Sequence, residues 1–386
     1  MKKNKWLMLL AACLIHISIG SVYAYSTLVL PIINETGWSL FLTTFIFSIA
    51  IFFLGTSASF GGKYVEQYGP TKTGILSAIL FCVGLLGSGF AISIHNIILM
   101  YLFSGVICGM AYGIGYVTPI KCIISWFPES PGISGGACVM SFGFASMIAG
   151  PLQQHLITTF SLVDNFLILA VGYSIIMILA SLYLDYPSQC TLDTASLSVK
   201  EITTTTTFKL LFISFLINIT CGIALLSIIS PMAQEMIMCN ATQAAALVGF
   251  VGCSNGLGRI MWSGLSDYIG RPNTILTFMT LECISFFLLT FITHEYLFVL
   301  LLLIIASGYG AYFAVMPSYL IDLFGNTHLS VIHGKILFAW AIAGLIAAPI
   351  ISLIRQFTGT YIIALMLFTI LMFINLMIVR KLKRLK

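Results

Sequence analysis

The chain has 386 residues, of which 59% are hydrophobic and only 8% charged; soluble domains carry about a quarter charged residues. Seventeen Lys and Arg against twelve Asp and Glu give a net charge of +5, yet no soluble basic face exists to bind nucleic acid. So little charge cannot cover a water-exposed surface, and lipid is the expected solvent and partner for most of the chain.

A membrane-spanning helix takes about 20 apolar residues. On that measure runs are predicted at about 6–30, 39–60, 74–93, 97–119, 136–158 and 163–184. After a polar stretch they resume at about 209–232, 242–264, 274–292, 296–320, 335–354 and 360–380. The basic start and the Val22-Tyr-Ala24 pattern of the first run imitate a secretory signal, but the distribution of charge argues for keeping it as a helix. With twelve spans and both termini inside, the inner segments hold Lys2, Lys3, Lys5, Lys63, Lys72, Lys121, Lys200, Lys209, Arg271, Lys335 and the five basic residues from Arg380 to Lys386. Only Arg355 is expected in an outer loop, and Arg259 within a span, so the positive-inside rule places both ends in the cytoplasm. Cys13, Cys82, Cys108, Cys221, Cys253 and Cys283 lie in apolar runs without a C-x-x-C pair, so cysteine is read as a small hydrophobe and no metal site is expected.

The segment from Asp185 to Phe208, with threonine at every position from 203 to 207, divides the chain into two six-helix halves, 1–184 and 209–386, joined by a cytoplasmic linker, 185–208. The halves repeat one another. Pro31 and Pro231, read as ending the first and seventh helices, are 200 residues apart. Glu66-x-x-Gly69 matches Asp267-x-x-Gly270, Tyr112-Gly113 matches Tyr309-Gly310, and Pro119 matches Pro317. Pro151 and Pro349, read as closing the fifth and eleventh helices, complete the series. Five matches in one order describe a parallel repeat about an axis along the membrane normal, which resembles the layout of the major facilitator transporters, with a substrate site near the midplane between the halves. Glu66 with Lys72, and Asp267 with Arg271, are read as gating latches of paired charges at helix ends.

An ionisable side chain at membrane depth is costly and points to function. Arg259 precedes Asp267 by eight positions, about 12 Å along a helix, and a guanidinium there presents a planar fork suited to a carboxylate. His16 in the first span and Glu282 in the ninth are candidates for proton coupling, although the ninth helix is peripheral in this layout. Tyr25, Tyr112, Tyr116, Tyr309, Tyr312 and Trp340, together with Tyr23, combine apolar bulk with a polar tip and lie on helices expected to line the cavity. No paired catalytic carboxylates occur, so an enzyme is not expected. No G-x-x-x-x-G-K-[ST] loop occurs either, so no nucleotide or other cofactor is expected and the driving force would be a gradient.

Gly20-Ser-Val-Tyr-Ala-Tyr25, Gly113-Ile-Gly115-Tyr116 leading to Ser125-Trp-Phe-Pro128, Ser141-Phe-Gly-Phe144 with Gly150-Pro151, and Asn255-x-x-Gly258-Arg259 resemble the oxalate:formate antiporter family of the major facilitator superfamily. The resemblance covers essentially the whole chain and implies that Arg259 binds substrate carboxylate within an aromatic cage. Oxalate-carrying members also use a lysine within the eleventh helix, and the stretch from Ile336 to Gly344 has none. The family reading thus implies a small monocarboxylate such as formate, lactate or pyruvate, carried by antiport or with a proton by a monomer in a bacterial inner membrane. The rivals are a proton-linked exporter of drugs or other non-anionic solutes and a non-transporting membrane sensor of a metabolite.

Overall fold

No water competes for backbone N–H and C=O groups in hydrocarbon, so a chain this apolar satisfies them within helices. The computed structural model describes residues 4–127, 131–186, 199–292, 294–325 and 329–384. Among the described residues twelve helices are long and apolar enough to cross a bilayer, and the protein is an all-α, multi-pass membrane protein.

Helix α1, Lys5–Gly20, is continued past a 3₁₀ turn at Ser21–Ala24 by the segment Ser26–Thr36. α2 is Leu40–Tyr68 and α3 is Pro70–Ser93. A short helix, Ile97–Met100, and a π-helical turn, Tyr101–Ile107, lead into α4, Cys108–Trp126. α5 is Pro131–Thr159 and α6 is Leu162–Tyr183. A turn of helix at Val199–Thr204 precedes α7, Thr206–Met236. The chain then runs through α8 (Ala241–Ile269), α9 (Arg271–Leu289), α10 (Glu295–Phe324), α11 (Leu329–Thr358) and α12 (Ile362–Arg384).

Local chemistry sets the ends. Asn4, Ser39, Ser161 and Thr205 accept backbone N–H groups at helix starts, and Asn240 with Gln243 forms a reciprocal capping box. Gly69 and Gly270 end α2 and α8 with φ of 80° and 82°, a backbone that glycine alone adopts freely. A proline in the first turn of α3 and of α9 then restarts the helix. This tight reversal is the physical content of the two loop signatures.

Four helix ends differ from expectation. Pro31, Pro151, Pro231 and Pro349 lie inside helices rather than at their ends, and Pro119 and Pro317 are also inside helices. Within a bundle, neighbouring helices and side chains re-satisfy the backbone groups that a proline frees, so it need not stop a membrane helix. Arg355 belongs to the last turn of α11 rather than to a loop. Its guanidinium meets both carboxylate oxygens of Glu235, at the end of α7, at 2.9–3.0 Å.

Burial sorts the helices by place. The apolar windows of α7 and α10 are 78% and 72% buried, those of α6 and α12 only 39%. On these two helices Val171, Leu179, Ile370 and Phe373 point outward, the apolar surface a bilayer solvates. α2 packs along α11, α5 along α8, and α8 along α10, which brings α1, α4, α5, α8, α10 and α11 together around one point. The nine described cysteines are free thiols.

Candidate functional site

That point is Arg259. It stands 18 residues after the start of α8 and 10 before its end, about 27 and 15 Å along the helix axis, and is 3% exposed. Its Nε donates to Asn255 Oδ1 at 3.4 Å, one turn earlier, and Nη1 donates to the Val139 carbonyl of α5 at 3.3 Å. The guanidinium carbon lies 5.3 Å from the centre of the Phe313 ring, within range of a cation–π attraction. The Tyr23 and Tyr116 hydroxyls are within electrostatic reach. Every one of these partners is uncharged. Among the described residues no carboxylate pairs with Arg259.

Around it stands a shell of rings. Tyr23, in the 3₁₀ turn after α1, packs edge-on against Phe142 at 5.0 Å, and its hydroxyl is hydrogen-bonded to that of Tyr309 at 2.8 Å. Tyr116 meets Phe142 at 5.4 Å and Trp340 at 5.8 Å. Phe313 meets Trp340 at 4.8 Å and Tyr309 at 5.4 Å. None of these side chains is more than 7% exposed, so the site is closed to both faces. Donors outnumber acceptors in it. Asn255 Nδ2 has no partner, and Trp340 Nε1 makes no hydrogen bond of regular geometry although the Tyr309 hydroxyl is beside it.

Of the aromatics predicted from sequence, Tyr116, Tyr309 and Trp340 gather at Arg259. Tyr25, Tyr112 and Tyr312 do not. The 3₁₀ turn rotates Tyr25 away, so that it stacks on Phe47 at 5.6 Å and donates to the Thr43 carbonyl at 2.7 Å. With Tyr112, one turn before Tyr116, it lines a separate cavity of ≈ 30 Å³ whose polar wall is Ser21, Ser104, Gln153 and Asn165. Tyr312 is three residues from Tyr309 and points away from the cage, bonding Ser214 Oγ at 2.7 Å and packing on Phe278. The residues that sequence reasoning missed are Phe142 and Phe313, which lack a polar tip. Phe313 could have been found as the i+4 partner of Tyr309.

His16 is fully buried beside the cage, with its ring stacked on Tyr116 at 5.2 Å. Glu282 is 2% exposed. It faces inward from α9, where a peripheral side chain was expected. Its Oε2 accepts from Asn218 Nδ2 of α7 at 2.7 Å and its carboxyl lies over Gly308 of α10, a local pairing that needs no contact with the cage. At the end of α8, Asp267 bridges Arg271 at 2.5 Å, and Arg271 Nε lies 3.9 Å from Asp322 of α10. Asp322 lies outside the loop signature, 51 positions after Arg271. Arg271 also bonds Ser266, so the second loop signature ties three helix ends together. In the first, Lys72 is exposed at the start of α3, and the Glu66 side chain lies outside the described residues.

The Tyr23–Tyr309 pair is a clear local test. Changing either to Phe leaves the other hydroxyl buried with a lost partner, which costs about 1–3 kcal/mol, whereas removing both costs less than the sum. Thermal unfolding of the two single variants and the double in detergent measures that coupling.

A Major Facilitator Superfamily model matches residues 8–348 of the chain. The chain is 25% identical to the uncharacterized MFS-type transporter YhjX of Escherichia coli (strain K12), over 89% of this chain and 87% of that protein. It is 23% identical to the oxalate:formate antiporter of Oxalobacter formigenes, covering 88% and 81% of the two. Monocarboxylate transporter 12 of Xenopus laevis is 25% identical over 79% and 73%. In structure the chain is similar to a bacterial homolog of the human lysosomal transporter Spinster, crystallised inward-facing and unoccupied, with a TM-score of 0.76 over 100% and 98% of the chains and 13% identity.

Proposed function

The chain belongs to the Major Facilitator Superfamily, and from that premise we propose that it carries a small monocarboxylate across the membrane by alternating access. Arg259 supplies the counter-charge, and Tyr23, Tyr116, Phe142, Tyr309, Phe313 and Trp340 form the walls. The observation that carries this reading is a cation, 3% exposed, that has no carboxylate partner among the described residues and stands in a shell of uncharged groups with donors to spare. A carboxylate is an acceptor-only group and matches such a site on both charge and hydrogen bonding. Leaving a buried charge without a counter-ion is costly, and a substrate that brings the counter-ion is bound for that reason. The oxalate:formate antiporter and the monocarboxylate transporter among the relatives support the same substrate class. Among the described residues Arg259 is the one cation in the cage, and with no lysine between Ile336 and Gly344 this favours a monoanion over oxalate.

In this reading residues 1–184 and 209–386 rock as two halves, the linker 185–208 and both termini are cytoplasmic, and the protein works as a monomer in a bacterial inner membrane. The Asp267–Arg271–Asp322 cluster holds the ends of α8, α9 and α10 in one access state. With Asp267 64% exposed such a bridge is worth no more than about 1 kcal/mol, which suits a contact that must open in every cycle. Counterflow in proteoliposomes tests the reading. Vesicles preloaded with unlabelled pyruvate or formate should accumulate the labelled compound, and those preloaded with neutral or cationic drugs should not. The reverse pattern would support the exporter of non-anionic solutes instead.

A further inference from the structure

The two ring nitrogens of His16 face two acceptors. Nδ1 is 2.7 Å from the Cys138 carbonyl oxygen of α5 and Nε2 is 2.9 Å from the Tyr116 carbonyl oxygen of α4. A neutral imidazole has one N–H and one lone pair, so one of these contacts would oppose a lone pair to a carbonyl oxygen at hydrogen-bonding distance. Only the imidazolium, with two N–H groups, donates to both carbonyls; in the neutral ring the Nδ1 lone pair has the Cys138 thiol, 3.5 Å away, as its donor. The ring is parallel to Tyr116 within 10° and edge-on to Phe142 at 6.1 Å, which fixes it between the two carbonyls. Its titratable and charged neighbours are Cys138 of α5, with Sγ 3.5 Å from Nδ1, Tyr116 of α4 and Arg259 of α8. Cys13 lies one turn earlier on α1 itself. No carboxylate is among them.

Resting on the reading of Arg259 as the anion site, we propose that His16 is the proton site of the carrier and that one proton on His16 travels with each carboxylate on Arg259. The geometry sets up a linkage. Two cations in a dry site repel each other, and in the empty site nothing offsets the second charge. An entering carboxylate lies next to Arg259 and within the field of His16, so it makes the imidazolium tolerable. Conversely, a protonated His16 strengthens the hold on the carboxylate by the same amount, because coupling between two bound species is reciprocal. In each cycle imidazole takes one proton from the face to which the site is open, the carboxylate binds as an anion, and both leave on the other side. No bond of the substrate is broken. The moved charge is zero, so transport follows the pH gradient and not the membrane potential. His16 acts through its charge, since both of its N–H groups are committed to backbone.

The test uses the purified full chain in proteoliposomes with an internal pH dye and labelled pyruvate or formate. Wild type is expected to import one proton per carboxylate, with accumulation rising about tenfold per unit of pH gradient, the limit for one-to-one coupling, and no response to an imposed potential. His16→Gln should lose both the dye signal and the dependence on the gradient, and the carboxylate counterflow it retains should be weakened and no longer vary with pH. Glu282→Gln should behave as wild type. Carboxylate uptake by wild type without proton entry would overturn the proposal and leave the anion site standing; absence of carboxylate transport at any pH would overturn both. If His16→Gln does not fold, Glu282→Gln still decides: coupling lost in that variant assigns the proton to the ninth helix and overturns the assignment to His16.

Discussion

Arg259→Gln is expected to reduce carboxylate uptake to background while the protein remains folded and as stable as wild type or more so. Truncating one member of a desolvated, hydrogen-bonded charge pair costs about 2–5 kcal/mol, a loss of roughly thirty- to several-thousand-fold in binding. In the protein without substrate the same change removes a buried cation whose partners among the described residues are all neutral. Glutamine keeps polar atoms for Asn255 and the Val139 carbonyl, and replacing an uncompensated buried ion by a neutral group is often stabilising. The two effects thus have opposite signs. A residue whose main role was to hold α8 against α5 would lose stability and uptake together. Arg259→Lys should fall between, since an ammonium keeps the charge and loses the planar fork. Initial uptake rates and thermal unfolding of the three proteins, measured side by side, check both signs.

Gly258→Ala is expected to disrupt both fold and transport although it adds one methyl group. A Cβ at this position would lie 2.6 Å from Ser307 Cα and 2.8 Å from its carbonyl carbon. These are backbone atoms of α10 and no side-chain rotation relieves the overlap. α8 and α10 would have to separate, and between them they carry Arg259, Tyr309 and Phe313. Overpacking of a well-packed interior costs about 1–3 kcal/mol when side chains can yield, so the cost here should reach or exceed the top of that range. Gly264→Ala on the same helix meets nothing within 4 Å and should be neutral or stabilising by up to about 1 kcal/mol. Thermal unfolding of the two variants in one detergent compares them directly.

How much of this was legible in the sequence depends on which physical constraint was at work. The spans were legible because hydrocarbon thickness imposes length and apolarity residue by residue, and twelve runs stand where twelve helices form. Arg259 was legible because a cation in such a run has few innocuous explanations. The walls of its site were only partly so. Choosing Tyr23 over Tyr25 requires knowing that α1 breaks at Ser21–Ala24, and nothing in the apolar pattern marks that turn. Choosing Tyr309 over Tyr312 requires the rotation of α10, which is set by its close contact with α8 and is invisible in a helix that is apolar all round. Prolines were overread as helix ends because rules from water assume that a freed carbonyl finds no partner. The contacts of His16 were beyond sequence altogether, since both acceptors are main-chain oxygens more than 99 residues away.

The central claim is that Arg259 binds a small carboxylate. Thermal unfolding of purified wild type and Arg259→Gln against a panel of unlabelled formate, pyruvate, lactate, oxalate, neutral amides and cationic drugs tests it most directly. A ligand at a hundred times its dissociation constant adds about 2.7 kcal/mol to the folded state, enough to move the midpoint by a few degrees. Wild type is expected to shift with one or more monocarboxylates, little with oxalate and not with amides or cations, and Arg259→Gln is expected not to shift. An equal shift in both proteins, or a shift in wild type only with neutral or cationic compounds, would contradict it.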